Sequence, residues 1–303
     1  MTAPAVLGTD RLELGEGIRW TDGRAVLTDI LTGRLLELPD GPDAPLAPIT
    51  RLPCPLGAVA PVEGTRPLDR GGGPRHLPHR PRGPRRLDRA PGEDAPVPMR
   101  MNDGVADPHG RFWAGSMAYE ATPDAGSLYR LDRDGRVTQV LRDVTIPNGP
   151  AFSADGTVMY LADSARGVIR RYPVDPASGD PGTPEPFVTL GSGSPDGMTT
   201  DIEGCLWTAV WGTGQVHRYR PDRGLDRIVD LPAGQPRDSA SAAPTAERSS
   251  SPARTSACPS RTPRRRRLRD PGRCSRRPGR PYRPAVPSAQ LRLTAPALSG
   301  SPP

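Results

Sequence analysis

The chain has no lysine and few aromatic residues, with three phenylalanines, six tyrosines and four tryptophans among 303 residues. No apolar run approaches the roughly 18 residues of a membrane-spanning helix, which excludes a helical membrane protein. The first residues lack the basic start and apolar core of a signal peptide. We therefore expect a cytoplasmic protein without a membrane partner.

Cysteine is also scarce. The four cysteines have neither Cys-x-x-Cys spacing nor the Cys/His spacing of a zinc site, so they indicate neither structural zinc nor a disulfide framework. No Gly-x-Ser-x-Gly elbow is present, which removes the commonest serine-hydrolase architecture.

Positive charge is confined to one end of the chain. The formal net charge is +7, but residues 237–303 contain 15 arginines and three acidic residues, so the remainder carries about −5. Arginine clusters such as Arg264–Arg267 could neutralise nucleic-acid phosphates. The segment interleaves proline, however, and only Tyr282 could stack on a base. We expect no nucleic-acid partner.

A repeat organises the middle of the chain. Three segments begin at Asn102, Asn148 and Asp196, with spacings of 46 and 48 residues, and each has a glycine eight residues further on before an apolar strand. In a second phase, three tyrosine-containing runs resemble the third strand of a repeat unit: Ser127–Leu131, Val168–Tyr172 and Gln215–Tyr219. Units of this length with several short strands and no helix are typical of β-propeller blades.

An earlier copy of the blade start lies at Leu14–Trp20, with Glu16 in the equivalent place. The 86 residues between Glu16 and Asn102 leave room for one more blade, which begins near Gly57 and then disappears into an Arg/Pro-rich segment, 61–94. A further blade expected near residue 242 is likewise missing. We therefore predict a propeller domain over 10–236 and a disordered Arg/Pro/Ser-rich tail over 237–303.

Both aberrant segments have the composition of a GC-rich gene translated out of frame, and the absence of lysine is consistent with such a gene. Our hypothesis is that two frameshifts scrambled blade two and removed the last blade. A natural insertion and a natural tail are the alternative. Without ring closure, exposed strand edges would remain, and we expect this chain to fold poorly.

The blade-start residues suggest a metal site. First strands of propeller blades line the central channel, so Glu16, Asn148 and Asp196 would bring two carboxylates and an amide oxygen together, with Asn102 nearby. Oxygen ligands suit Ca²⁺, Mg²⁺ or Mn²⁺, and Zn²⁺ also accepts them. The alternative is that these residues only cap turns. Turn capping is our interpretation for five other aspartates: Asp107, Asp155, Asp163, Asp175 and Asp201.

These motifs resemble the senescence marker protein/gluconolactonase/luciferin-regenerating enzyme family of regucalcin-like lactonases. The resemblance covers roughly 10–60 and 95–236 and rests on these segments: Leu14–Gly17, Arg100–Gly104, Asp107–Met117, Ile146–Gly149 and Pro195–Met198. It implies a six-bladed β-propeller with one divalent cation in its channel and hydrolysis of sugar lactones. This chain departs from the family in blade two and in the last blade.

The resemblance also implies roles for individual residues. Glu16, Asn148 and Asp196 match the metal ligands, and Asp196 is also the expected general base. The substrate-contacting positions are Arg100, Asn102 and Glu120. A small lactone would be the partner, and a non-catalytic calcium-binding propeller is the alternative function.

Overall fold

The computed structural model describes residues 5–7, 10–21, 24–38, 44–61, 95–232 and 293–295. These residues form an all-β propeller fold with four blades, each a four-stranded antiparallel meander whose strands pair in chain order. The six-blade count and the scrambled and missing blades concern segments outside the described residues.

The four blades are named A to D in chain order. Blade A comprises β2 (Gly15–Thr21), β3 (Arg24–Asp29), β4 (Arg34–Leu38) and β5 (Ala47–Arg51). Blade B comprises β6 (Met99–Ala106), β7 (Phe112–Ala118), β8 (Gly126–Leu131) and β9 (Val137–Val144). Blade C comprises β10 (Pro147–Phe152), β11 (Val158–Asp163), β12 (Val168–Pro173) and β13 (Glu185–Thr189), with a 3₁₀ turn at Ser164–Arg166. Blade D comprises β14 (Ser194–Thr200), β15 (Leu206–Trp211), β16 (Gln215–Tyr219) and β17 (Leu225–Asp230).

The predicted third strands are confirmed, because the three tyrosine-containing runs are β8, β12 and β16. One further pair joins distant parts of the chain: β1 (Ala5–Leu7) is antiparallel to β18 (Leu293–Ala295). The predicted disordered tail, 237–303, lies outside the described residues except for β18, so it stays a prediction. The apolar positions 291 and 293 alternate with polar ones there, which is a strand pattern within an otherwise strand-poor segment.

Apolar side chains fill the spaces between neighbouring blades. Between B and C, the fully buried Trp113 contacts Phe152, with ring centroids 5.3 Å apart. Phe187 of blade C makes a T-shaped contact with Tyr160 of the same blade and contacts Tyr219 of blade D. Such aromatic burial supplies large apolar areas in a chain with few aromatics, so each ring matters for blade packing.

The first strands of adjacent blades contact each other: β2 contacts β6, and β10 contacts both β6 and β14. They are therefore the inner strands that surround the centre. No strand lies among the described residues between β5 and β6, where blade two was expected. Residues 52–61 instead have irregular backbone, in which Gly57 and Ala58 lie beside the inner strands of A and B.

Candidate metal and substrate site

A β-bulge interrupts every inner strand at the same depth. The pairing register shifts between Glu16 and Arg19, Met101 and Gly104, Asn148 and Ala151, and Pro195 and Met198. Bulges free residues from the ladder and re-aim their side chains, and they are common beside functional sites. The four bulges therefore mark one layer of the centre.

The blade-start residues occupy two positions relative to the bulge. Glu16 and Asn148 are the last ladder-paired residues before it, whereas Asn102 and Asp196 lie one residue further on. In a regular strand a one-residue offset would send side chains to opposite faces. A bulge lifts that constraint, so side chains at both positions can point to the same side of the inner strands.

All four residues are buried, with exposed fractions of 2–7%. Asn102 Nδ2 donates to Asn148 Oδ1 at 2.7 Å and to the Pro147 carbonyl at 3.0 Å. These are the only two asparagines in the chain, and they bond across the boundary between blades B and C. The structure thus brings two of the predicted site residues into direct contact.

Ser164 extends this connection to blade D. Asn148 Nδ2 donates to Ser164 Oγ at 2.9 Å, and Ser164 Oγ donates to the Pro195 carbonyl at 2.5 Å. Pro195 immediately precedes Asp196, so the backbone that carries Asp196 is joined to Asn148. Sequence reasoning missed Ser164, which follows β11 and has no counterpart in the repeat template.

Glu16 is joined to the others through the backbone around Gly57. The Thr28 hydroxyl donates to the Glu16 carbonyl at 3.0 Å and contacts the Gly57 carbonyl at 3.3 Å. On its other side Gly57 lies against the Asn102 carbonyl so closely that an added Cβ would collide with it. Gly57 therefore stands between the inner strands of A and B, and only glycine fits there.

Asp103 is a second residue that sequence reasoning missed. It is 3% exposed, and its carboxylate accepts hydrogen bonds from Arg19 Nη2 at 3.0 Å, from the Gly104 amide at 2.7 Å and from the Gly149 amide at 3.1 Å. One carboxylate thereby ties together the inner strands of A, B and C next to the predicted site residues. The sequence signal for Asp103 was a departure from the repeat, because the strand register aligns Asp103 with Pro150 in blade C and with Gly197 in blade D.

The donor set suits a hard divalent cation. Because Asn148 Nδ2 is committed to Ser164, its Oδ1 is directed to the Asn102 side, where it has a second lone pair beyond the bond from Asn102. Glu16 and Asp196 add two buried carboxylates, and buried negative charges require neutralisation. Within the described residues no group of three or more His, Cys, Asp or Glu side chains could hold a metal, so any such site uses amide oxygen.

The structure brings together only two of the three residues predicted to contact substrate, Arg100 and Asn102. Arg100 donates to Asn102 Oδ1 at 2.6 Å and to the Met101 carbonyl at 3.1 Å. Glu120 is exposed in the turn after β7, at the same end of the β6–β7 hairpin as Arg100. Burial raises the pKa of the neighbouring Tyr119 phenol, and the Arg100 charge opposes that rise.

The turn interpretation is confirmed for Asp107, Asp155, Asp175 and Asp201, whereas Asp163 lies in β11 and accepts from the connection between β9 and β10. Asp107 and Asp201 each accept two backbone amides of their own hairpin and a tryptophan Nε1–H, from Trp113 at 3.0 Å and Trp207 at 2.8 Å. The remaining three also cap backbone amides: Asp155 caps Thr157, Asp163 caps Thr145 and Ile146, and Asp175 caps Ala177 and Ser178. None of the five is needed to explain the central site.

No helix among the described parts of the chain is long and apolar enough to cross a membrane.

Comparison with known proteins identifies relatives of this architecture. A 6-deoxy-6-sulfogluconolactonase of Pseudomonas putida is 39% identical over 140 residues, which are 45% of this chain and 48% of that protein. A pentonolactonase of Haloferax volcanii is 40% identical over 127 residues, covering 41% of this chain and 43% of that protein. The matched segment thus spans less than half the length of either relative.

Among solved structures, a calcium-binding protein named regucalcin from Agrobacterium tumefaciens aligns with a TM-score of 0.63 and 29% identity, over 77% of this chain and 82% of that chain. The SMP-30/gluconolactonase/LRE-like family model matches residues 14–243, which contain all four blades and every predicted site residue. The chain belongs to the SMP-30/gluconolactonase/LRE-like family.

Proposed function

We propose that this protein hydrolyses small sugar lactones with the help of one divalent cation. The names of its lactonase relatives support the substrate class. One observation carries the proposal for this chain: a hydrogen-bonded path runs from Arg100 through Asn102 and Asn148 to Ser164 and Pro195. It joins three inner strands at one buried, oxygen-rich centre.

Glu16, Asn148 and Asp196 are the residues that would hold the cation, which can be Ca²⁺, Mg²⁺, Mn²⁺ or Zn²⁺ on donor chemistry alone. When bound, a divalent cation polarises the lactone carbonyl and stabilises negative charge on its oxygen.

The protein's own residues supply the proton transfers. The Asp196 carboxylate takes a proton from the water that attacks the carbonyl carbon. The ring C–O bond then breaks, and the departing alkoxide oxygen receives that proton, giving an open-chain hydroxy acid. Burial of Asp196, which is 6% exposed, keeps bulk water from competing for the carboxylate.

Arg100 and its partners orient the substrate. Two of the contacts made by the Arg100 guanidinium go to Asn102 and Met101, which fix its plane. The role proposed for this guanidinium is to bind sugar hydroxyls or the product carboxylate. Glu120, exposed at the same end of blade B, can accept a hydroxyl hydrogen bond from the distal part of the sugar.

The test is hydrolysis of gluconolactone by the full chain, metal-stripped and then supplied separately with each of the four cations. We expect a metal-responsive rate that Asp196→Asn abolishes and that Asp134→Asn, in an exposed turn, leaves unchanged. Turnover that survives both EDTA and Asp196→Asn would refute the proposal.

A non-catalytic calcium-binding propeller is the second candidate, favoured by the similarity to the calcium-binding protein from A. tumefaciens. Calorimetric Ca²⁺ binding that depends on Glu16, with no turnover of any lactone under any metal, would favour it. The cytoplasmic location and the absence of a nucleic-acid partner stay predictions.

A further inference from the structure

A polar cavity lies at the hairpin ends of blades B and C, away from the Arg100 end of the β6–β7 hairpin. Its volume is about 380 Å³, and its walls come from the β6–β7, β8–β9 and β12–β13 turns. This volume falls within the range of small-molecule pockets. Four arginines line it: Arg111, Arg130, Arg133 and Arg136.

Arg111 is a buried member of this wall, at 6% exposure. Its backbone amide and Nε donate to Asp107, at 2.9 and 2.6 Å, but its buried Nη2 has no hydrogen-bond partner. Asp107 cannot readily supply another acceptor, because Trp113 and the His109 amide also bond to it. Arg111 therefore has an unused donor just beneath the wall, covered from the open space of the cavity.

The carboxylates in the cavity are already committed to internal donors. Asp132 and Asp180 both accept hydrogen bonds from Arg130, at 2.7 and 3.0 Å, and the bond from Arg130 lowers the pKa of Asp180. Asp134 accepts the Arg136 amide at 2.9 Å. The acids thus act as supports that hold the arginines in place.

Arg136 adds donors that the protein uses little. It is 67% exposed and forms one ion pair, from Nε to Asp132, at 3.3 Å. A guanidinium has five N–H donors, so most of those on Arg136 face solvent. Counting Asp107, which pairs with Arg111, four guanidinium groups meet four carboxylates, so the cavity has an excess of N–H donors over acceptors but no excess of charge.

The blade C turn forms one side of this solvent-open cavity. Gly179 has a φ of +75° and lies so close to the Arg111 guanidinium that an added Cβ would collide with Nη1. The hydroxyl-bearing Ser178 beside it lines the same cavity. A surplus of N–H donors and a nearby hydroxyl favour a ligand with several acceptor oxygens.

We propose that this cavity binds a small oxyanion of the phosphate class, either free phosphate or the phosphate group of a small metabolite. The inference does not depend on the lactonase proposal, since no residue of the central site contributes to it.

The test is calorimetric titration of the full chain with inorganic phosphate at constant ionic strength in EDTA. We expect saturable binding that sulfate competes for and chloride does not. The double variant Arg133→Ala/Arg136→Ala should weaken binding about tenfold or more, as expected from losing charge-assisted hydrogen bonds. A glycerol phosphate arm distinguishes free phosphate from a phosphate monoester, by which of the two binds more tightly.

Two controls locate the effect. Arg142→Ala removes an exposed arginine on β9, outside the cavity, and Asp196→Ala alters only the central site; both should retain wild-type affinity. If the double variant melts abnormally, Arg136→Ala alone carries the test. Absence of saturable phosphate binding, equal competition by chloride, or wild-type affinity in the arginine variants would overturn the proposal.

Discussion

Asp103→Asn is the sharpest test of how the central site is held together. The substitution keeps the size of the side chain but removes its charge and replaces one acceptor oxygen with an NH₂ donor. Three donors converge on the carboxylate: Arg19 Nη2 and the amides of Gly104 and Gly149. An asparagine cannot accept from both sides, so at least one buried donor would face another donor.

The magnitude follows from burial and from what Arg19 retains. The Arg19 and Asp103 side chains are 18% and 4% exposed, and breaking such a buried pair costs about 3–5 kcal/mol. Arg19 keeps hydrogen bonds to the Ile18 and Gly104 carbonyls, which reduces the loss to about 2–4 kcal/mol. For a domain of this size that corresponds to a Tm lower by roughly 5–15 °C.

The assay is thermal unfolding by circular dichroism together with calorimetric metal affinity, because a general loss of stability would leave the affinity of the remaining folded protein unchanged. We expect both to fall, since Asp103 positions the strands that carry Glu16, Asn102 and Asn148. Asp134→Asn is the matched control. A Tm within about 1 °C of wild type would refute the anchoring role of Asp103, since surface-type substitutions have effects of about 0.5 kcal/mol or less.

Three further changes test neighbouring contacts. Gly57→Ala should destabilise the fold by about 1–3 kcal/mol, because its Cβ would collide with the Asn102 carbonyl; thermal melts measure this. Ser164→Ala should weaken metal binding about 10–100-fold in calorimetry, because it frees the Asn148 amide to rotate. Asp29→Asn should lower Tm at neutral pH and reduce the fall of Tm with decreasing pH. The reason is that the folded-state pKa of Asp29 is lowered: burial alone would raise this pKa, but hydrogen bonds from the Leu14 amide and from Arg34 outweigh burial.

The sign for Asp29 follows from linkage. A depressed folded-state pKa gives stability that is complete above the ordinary Asp value of about 3.9 and is lost as pH falls through the folded value. An unchanged fall of Tm with decreasing pH in Asp29→Asn would contradict this assignment. Matched controls for the other two are Gly191→Ala, where an added Cβ meets nothing within 4 Å, and the exposed Ser192→Ala. If a control variant changed Tm or metal affinity as much as the variant it is matched to, the contacts described for Gly57 and Ser164 would not explain the result.

The propeller could be predicted because a blade repeats. Each unit must bury both faces of a small sheet, so the hairpin glycines recur at intervals of 46 and 48 residues and the third-strand tyrosines at intervals of 43 and 47. This periodicity predicted the third strands β8, β12 and β16 from Tyr129, Tyr172 and Tyr219. It could not predict the β1–β18 pair, which joins two three-residue strands almost 290 residues apart in sequence.

The site was harder to predict because it depends on departures from the repeat. The sequence placed Asn102, Asn148 and Asp196 in one phase, whereas the structure divides them between two positions of a bulge. Bulge register depends on pairing across strands, which a linear pattern does not record. The cross-blade bonds of Ser164 and Asp103 likewise require knowledge of which strands are neighbours.

The junction between blades A and B explains how a site can persist where the sequence of a blade breaks down. The inner edge of the expected second blade needs only a few residues to contact both neighbours. Gly57 does this, with its carbonyl near Thr28 and its Cα against the Asn102 carbonyl. These contacts are made before the Arg/Pro-rich segment begins at residue 61. The central site therefore depends at this junction on residues that still follow the repeat, and the departure of the sequence starts only after the last of them.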